Sequence, residues 1–280
     1  MKRRGSSFIL VLIFVAGLAI LAYPTVSNYW NSFHSSRAIM NYTEAVSGLG
    51  KEEYARLYAE AETYNRQMLK RSNPFLPTKA EKAAYETLLN VGGNGIMGYL
   101  EIPEINVSLP LYHGTDESVL QVAVGHIDWT SLPVGGESTH AVLSGHRGLP
   151  SAKLFTDLDR LVEGDTFELY ILDRILTYEI DQILIVLPEE VSELQVTKGE
   201  DYCTLVTCTP YGINTHRILA RGHRVETETE HTVRVTADAI QIEPLLVAVV
   251  VAIPLLIVFL TFLFEDDRRH WRYDKYKDDF

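Results

Sequence analysis

The chain has 280 residues, a length that allows one globular domain with a sizeable core and additional segments. Its formal net charge of −12 argues against a surface that binds nucleic acid, so no nucleic-acid partner is expected. Apolar residues make up 46% of the chain, and they are concentrated in two long runs, one near each end. This distribution predicts a folded middle region attached to a membrane.

The first apolar run extends over Phe8–Tyr23 and follows three basic residues. Together with the residues up to Val26 it approaches the ~20 residues that a helix needs to cross the hydrocarbon of a bilayer. A basic start before an apolar run is also typical of a cleaved secretory signal, but no clear small-residue cleavage site follows. Residues 1–26 are therefore predicted to be a basic cytoplasmic tail with an N-terminal membrane anchor or signal.

A helical extension is predicted next, over residues 27–95. Within it, apolar residues recur at three- and four-residue steps, and Ser35–Arg71 is predicted to be helical. Pro74 and Pro77 end this helix, and a short helical piece follows over Lys79–Leu89.

From residue 96 to residue 226 the pattern changes to short strands. The strand candidates are GYLEIPEINVSLPLYH, which is broken into two near Pro103, and HAVLSGH, DTFELYIL, ILTYEIDQILIVL, YCTLVTC and HRILARGHRV. Between them, ESVLQVAVG and SAKLFTDLDRL are predicted to be short helices or turns. Seven or eight short strands with few helices predict a mainly β domain that forms a closed or nearly closed barrel.

The second apolar run follows a polar tether, residues 227–244. It covers Leu245–Phe264 without a charge and has the length of a transmembrane helix. Residues 265–280 follow as a cytoplasmic tail that contains five lysine and arginine residues. Because positively charged flanks stay in the cytoplasm, we expect two flanking transmembrane helices, both termini inside the cell, and the middle region on the extracellular face.

The two cysteines, Cys203 and Cys208, are predicted to be free thiols. In a strand, five residues cover about 16 Å, and an odd separation points the two side chains to opposite faces. A disulfide requires Cα atoms within about 7 Å of each other. A disulfide would need the strand to fold back on itself.

Cys208 ends a strand beside a loop, a position at which a rigid scaffold presents reactive groups. Arg217 begins the next strand, so antiparallel pairing across the loop would bring it close to Cys208. Arg221 would lie about 13 Å further along the strand, and His216 would face the opposite side. These positions favour Arg217 over its basic neighbours as the partner of Cys208. For Cys208 taken alone, a buried apolar role is the default and a nucleophilic role is the alternative.

A general base for a thiol nucleophile has two main candidates. His146 closes the strand AVLSGH between Gly145 and Gly148, and small neighbours of this kind suit the approach of a substrate. His126, in GHIDW, is the second candidate. For either histidine a hydrogen-bonded structural role is the alternative. The sequence contains neither H-E-x-x-H nor C-x-x-C, and no metal site is expected.

Two segments, LSGHRGLPSAKLF and TLVTCTPYGINTHRILARG, closely resemble the active-site segments of sortases, which are cysteine transpeptidases on the outer face of Gram-positive membranes. GHIDWTSLPVGG and GYLEIPEINVSLPLYHG are similar to the same family, and the resemblance covers Ile96–Val225. It implies an eight-stranded sortase barrel without metal or organic cofactor. It also implies a catalytic set of Cys208 as nucleophile, His146 as general acid and base, and Arg217 for substrate and oxyanion stabilisation.

The run CTPYGINTHR, the second span and the helical extension resemble the pilin-polymerising class C of this family. In that class a lid places an aromatic side chain over the cysteine, usually in an Asp-Pro-aromatic sequence. The matching residues are Asn73, Pro74 and Phe75, within the predicted lid segment 72–77. The neutral amide of Asn73 cannot form the ion pair of an aspartate, and a linker that ends a helix is the alternative interpretation.

The resemblance implies a thioester acyl-enzyme formed on an LPxTG-like sorting signal, and a lysine isopeptide bond between pilin subunits. The implied partners are pilins with a sorting signal and an acceptor lysine, membrane lipid, and a housekeeping sortase to which the product is handed over. A housekeeping sortase that anchors proteins to peptidoglycan is the first alternative function. A non-catalytic membrane-anchored binding barrel is the second.

Overall fold

The computed structural model describes residues 2–71, 73, 75–227 and 253. The chain divides into two compact units, of which Ser27–Glu230 contains most of the described residues. The predicted second membrane span (apart from Ile253), the cytoplasmic tail, and all but the first residue of the tether lie outside the described residues. Ser72 and Pro74 of the predicted lid segment also lie outside them.

Three helices precede the barrel: α1 (Lys2–Ser47), α2 (Lys51–Met68) and α3 (Lys79–Thr87). Among the described residues, one helical stretch, Leu12–Ser47, is long and apolar enough to cross a membrane, judged by length and composition. This stretch overlaps the first apolar run of the sequence.

The prediction of one continuous helix over residues 35–71 is wrong at its middle. Helix α1 ends at Ser47 and α2 begins at Lys51, with Gly50 as the N-cap in an extended conformation (φ −87°, ψ 163°). The apolar periodicity continues across this break, but the two glycines at positions 48 and 50 are poor helix formers and allow the chain to turn.

A capping box starts α3 directly after the two prolines. Oγ1 of Thr78 accepts a hydrogen bond from the backbone N–H of Glu81 (3.3 Å), and the Glu81 carboxylate accepts one from the backbone N–H of Thr78 (2.7 Å). Both donors would otherwise be unpaired at a helix start, so this reciprocal pair fixes where α3 begins.

Eight strands close into a mixed barrel in the order β1-β2-β3-β4-β7-β8-β6-β5, which confirms the predicted mainly β barrel. The β2–β3 and β4–β7 pairs are parallel, and the other pairs are antiparallel. The strands are β1 (Ile96–Ile102), β2 (Val107–His113), β3 (Val124–His126), β4 (Thr139–Ser144), β5 (Thr166–Ile171), β6 (Arg174–Val186), β7 (Asp201–Thr209) and β8 (His216–Val225).

Strand β3 is the one that the sequence does not predict. The segment read as a short helix or turn contains a single helical turn, α4 (Glu117–Leu120), and then β3. With three residues, β3 is too short to show an alternating pattern. Its role is positional, because it pairs in parallel with β2 and antiparallel with β4.

Alternate side chains of β7 point to opposite faces of the barrel wall. Cys203 and Leu205 are fully buried in the main core, whereas Val206 belongs to a separate apolar cluster on the other face. Cys208 shares the face of Val206 and is half-buried. Both cysteines carry free thiols, with Cys203 inside the barrel and Cys208 outside.

Buried polar contacts hold the helical extension against the barrel. The hydroxyl of Tyr42 donates to the carbonyl of Met97 (3.0 Å) and accepts from the backbone N–H of Leu172 (2.8 Å). The side chain of Asn65 donates to the carbonyl of Leu132 (3.1 Å) and accepts from its N–H (2.7 Å). Because each contact pairs a buried backbone group, the position of the extension on the barrel is specific.

Candidate active site

Cys208 and Arg217 are direct partners in the antiparallel pairing of β7 with β8. Opposite residues of such a pair have Cα atoms about 4.5–5.5 Å apart, and their side chains point to the same face. The register therefore places the side chains of Cys208 and Arg217 next to each other at the end of β7 and the start of β8. It agrees with the pairing that the sequence indicates.

His146 reaches the same place by a different route, through the parallel pairing of β4 with β7. The pairing continues past the end of β4: Gly145 N–H donates to the carbonyl of Val206 (3.1 Å), and the Thr207 hydroxyl donates to the carbonyl of Gly145 (2.8 Å). Extending this register by one further residue puts His146 level with Cys208. Continued in this way, the register directs His146 towards the side of Cys208 opposite Arg217.

The glycine before His146 is required for packing. A Cβ added to Gly145 would lie 2.7 Å from the ring of Phe155, a distance that real Cβ atoms do not show. The backbone N–H of Phe155 also donates to the carbonyl of His146 (3.1 Å). Gly145 thus allows the Phe155 ring to support the turn that carries the imidazole, which differs from the expectation that this glycine leaves space for substrate.

The side chains of His146 and Arg217 are both partly exposed, and each has polar neighbours. His146 is half-buried, and its Nε2 lies 3.9 Å from Oε2 of Glu117. Nη1 of Arg217 donates to the carbonyls of Asn214 (3.2 Å) and His216 (3.0 Å). The guanidinium is thus held against the β7–β8 loop, with donors remaining for a bound oxygen.

His126, the second candidate base, has a structural role. It is fully buried, with Nδ1 3.0 Å from the Tyr85 hydroxyl and Nε2 2.7 Å from the carbonyl of Ser131. Burial lowers the pKa of His126 to about 4, so the ring is neutral at physiological pH. It connects α3 to the loop after β3 and does not share the face of Cys208.

Arg221 is engaged away from Cys208. Its guanidinium makes two hydrogen bonds to the carboxylate of Asp181 (3.0 and 2.9 Å) and lies 4.4 Å from the centre of the Tyr202 ring. The bond to Asp181 raises the pKa of Arg221. The second arginine of β8 therefore stabilises the barrel wall.

An apolar surface borders the thiol. We call it the outer apolar cluster, and Cys208 shares its face because Val206, two residues earlier on β7, belongs to it. Its buried members are Val142, Leu194, Val206 and Leu219, and partly buried Ile127, Trp129, Leu184, Val186 and Val191 pack against them. An extended apolar peptide could therefore lie along this surface with its reacting bond at Cys208.

The predicted lid contacts the edge of this cluster. The Phe75 ring lies edge-on to the Trp129 ring, with the ring centres 5.2 Å apart. The backbone N–H of Phe75 donates to Oδ1 of Asn73 (3.0 Å), a local turn in which the amide replaces the acid of the usual lid sequence. The contact is with Trp129, and the lid's effect on Cys208 stays a prediction.

Arg147 is a residue of the site that the sequence analysis did not identify. It is largely buried, with one Nη donating to the hydroxyl of Thr209 (3.3 Å) and the other bonded to the carboxylate of Asp159. It thereby ties the turn after β4 to the end of β7. Its position next to His146 was the only signal in the sequence, and it does not reveal these partners.

In the part of the chain that the structure describes, no group of three or more histidine, cysteine, aspartate or glutamate side chains is placed to hold a metal ion. The reactive groups at this end of the barrel are the Cys208 thiol, the His146 imidazole and the Arg217 guanidinium.

Comparison with known proteins gives a consistent set of matches. The Sortase domain model matches residues 100–225. Sortase D of Bacillus subtilis is 34% identical over 131 residues, which are 46% of this chain and 63% of that protein, so the match spans less than two thirds of that relative.

Two solved structures are similar over a longer part of the chain. Sortase C1 from Streptococcus agalactiae is 49% identical, with a TM-score of 0.67, covering 69% of this chain and 100% of that one. Sortase C from Streptococcus pneumoniae is 42% identical, with a TM-score of 0.62, covering 68% and 97%; its description refers to catalysis and pilin substrate specificity.

Proposed function

Because the chain belongs to the sortase family, and within it to class C, we propose that it joins pilin subunits by cysteine transpeptidation. The observation that carries the proposal is the register of β7, which pairs Cys208 with Arg217 and continues past β4 through the two hydrogen bonds of Gly145, the residue before His146. This register supports a site that combines a nucleophile, a proton carrier and an oxyanion donor from separate parts of the sequence.

The first half-reaction acylates the enzyme. The Cys208 thiolate attacks the threonine carbonyl carbon of an LPxTG-like signal, and Arg217 donates hydrogen bonds to the oxygen that becomes negative. As the threonine–glycine C–N bond breaks, His146 gives a proton to the leaving amine. The products are a thioester on Cys208 and a released peptide with a free amino terminus.

The second half-reaction transfers the acyl group. His146 takes a proton from the ε-ammonium group of a lysine on the next pilin, and the resulting amine attacks the thioester carbonyl. Collapse of the tetrahedral intermediate, with loss of the second amine proton to water, releases the Cys208 thiolate and leaves an isopeptide bond. The thioester retains enough free energy for this step, so no organic cofactor is required.

The outer apolar cluster supports a sorting signal as substrate. Its partly buried side chains offer a surface for the leucine and proline that precede the reacting threonine, and Val206 beneath them lies two residues from Cys208 on the same face of β7. Phe75 lies against Trp129 at its edge, so a lid formed by residues 72–77 would have to move before a peptide occupies the whole surface.

The proposed location follows from the sequence and from the candidate span. Sortases are cell-envelope enzymes, and Leu12–Ser47 contains a stretch suited to crossing a membrane. We propose a two-pass protein whose first span lies within residues 1–26 and whose second span is residues 245–264, with residues 27–244 on the extracellular side of the membrane. The termini would be cytoplasmic, and the finished polymer would pass to a housekeeping sortase.

A polymerisation assay tests this function. The full chain, incubated with a pilin that carries an LPxTG-like tail, should produce a ladder of covalent oligomers that survives boiling in detergent. Replacement of the pilin's acceptor lysine should remove the ladder. If the chain instead attaches the pilin only to a peptidoglycan-precursor amine, the housekeeping alternative holds. If it cleaves no sorting signal, the binding-barrel alternative holds.

A further inference from the structure

Helix α1 has two chemically different faces where it passes the barrel. Asn28 and Asn31 lie on one face, since residues three apart are neighbours on a helix. Tyr29, Trp30 and Phe33 lie on the other, about half a turn away at 100° per residue. We call these three residues the aromatic face.

In the part of the chain that the structure describes, the side chains of the aromatic face are exposed to solvent. Tyr29, Trp30 and Phe33 are 69%, 64% and 54% exposed. Within the described part of the chain, the ring contacts of Trp30 and Phe33 are with His34 on the same helix. The distances between ring centres are 4.9 Å for Trp30 and 5.9 Å for Phe33. Three large aromatic side chains on one helix face form a patch of the kind that marks an interaction surface.

The position of this patch along the chain identifies its partner. The apolar run with the residues after it ends at Val26, and Trp30 follows four residues later. Four residues span about 6 Å in a helix and at most about 14 Å fully extended. The headgroup region on each side of a bilayer is about 5–8 Å thick, and tyrosine and tryptophan are enriched there. Chain length therefore keeps Trp30 at or next to that layer.

The opposite face of the same helical turn holds the loop that follows His146. Oδ1 of Asn28 accepts a hydrogen bond from the backbone N–H of Lys153 (2.8 Å), and Nδ2 of Asn31 donates to the carbonyl of Ser151 (2.6 Å). This loop returns to His146 through the hydrogen bond from the Phe155 N–H. One turn of α1 thus connects the aromatic face to the proposed acid and base.

We propose that the aromatic face inserts into the headgroup layer of the phospholipid membrane and, through Asn28 and Asn31, fixes the height of the His146 loop above the lipid. The inference rests on the membrane attachment proposed above. It predicts that the enzyme acts best on sorting signals whose own apolar tail is still in the same membrane, because those signals emerge at a defined height.

Depth-dependent fluorescence quenching tests the insertion directly. The full chain in lipid nanodiscs is compared with its Trp30→Phe variant, so that the difference isolates Trp30 from Trp129 and Trp271. Lipids brominated near the headgroup should quench the difference signal more strongly than lipids brominated near the chain end. No quenching, as expected if water or the second apolar run covers the face, overturns the proposal. Stronger quenching by the deep bromines also overturns it.

A kinetic comparison tests the consequence. The triple variant Tyr29→Ser/Trp30→Ser/Phe33→Ser should cleave a membrane-inserted sorting peptide several-fold more slowly and a soluble one at the unchanged rate. The control is Met40→Ser, at another exposed apolar residue of α1. Equal losses on both substrates, or none on either, would contradict the proposal. If the unaltered chain cleaves neither peptide, the proposed function fails, and the quenching result still decides the insertion.

Discussion

The ring of Phe75 packs edge-on against the ring of Trp129, with 5.2 Å between the ring centres. Phe75 belongs to the helical extension, whereas Trp129 belongs to the loop after β3 and to the rim of the outer apolar cluster. The contact therefore links the segment with the lid-like sequence to the surface beside Cys208. It gives the lid hypothesis a specific pair of side chains to test.

Phe75→Ala should accelerate the reaction of Cys208 with a small methanethiosulfonate reagent. An aromatic pair contributes about 0.5–1.5 kcal/mol beyond its buried area, so its loss should raise the open fraction, and with it the modification rate, about two- to tenfold. The rate is measured by intact mass at several reagent concentrations in a Cys203→Ala background. The neighbouring Leu76→Ala change, at an exposed side chain, should leave the rate unchanged. Equal rates for Phe75→Ala and the parent would show that Phe75 does not shield the thiol.

Gly145→Ala should impair both folding stability and catalysis. The added methyl would overlap the Phe155 ring, and overpacking of this kind costs about 1–3 kcal/mol of unfolding free energy. Relief of the overlap would move the turn that carries His146, so kcat/KM on a sorting peptide should fall as well. Gly48→Ala is the control, because its nearest contact would be at an ordinary 3.6 Å. A Gly145→Ala enzyme with parental Tm and kcat/KM would refute the packing role.

The part of the site that depends on pairing between strands adjacent in the sequence can be predicted from the sequence alone. Cys208 and Arg217 lie on strands joined by a short loop, so antiparallel pairing follows from the chain itself. The neighbour relation of His146 and Cys208 needs the parallel β4–β7 pairing, which joins segments about 60 residues apart and has no local signature. For that contact the family resemblance was required.

Two further features could not be predicted for physical reasons. β3 has three residues, too few for a periodic pattern, and it carries His126 into a buried position that the sequence does not reveal. Arg147 was not identified from the sequence, because its partners Thr209 and Asp159 come from elsewhere in the chain. In both cases tertiary contacts determine the role of the side chain.

The barrel should become less stable as the pH is lowered through the range between the unfolded and folded pKa values of His126. Its pKa is lowered from 6.5 to about 4 in the folded chain, so between those values the unfolded chain binds a proton that the folded chain does not. The free energy of unfolding should therefore decrease as the pH falls from about 6.5 to 4, by about 3 kcal/mol at most from this residue. Denaturant unfolding at a series of pH values measures the slope.

His126→Gln should flatten this dependence, because the amide keeps a donor for the Ser131 carbonyl without titrating. A residual slope of the same sign should remain, since burial also lowers the pKa of His140. An undiminished slope in His126→Gln would mean that other groups cause the acid sensitivity.

The most direct test of the account is where a sorting peptide becomes covalently attached. The full chain is incubated with an LPxTG-like peptide in the absence of an acceptor amine, and the intact mass and the modified cysteine are determined. We expect a thioester adduct on Cys208 that ends at the peptide's threonine. The adduct should persist in Cys203→Ala and be absent from Cys208→Ala. An adduct of that mass on the Cys208→Ala protein would contradict it.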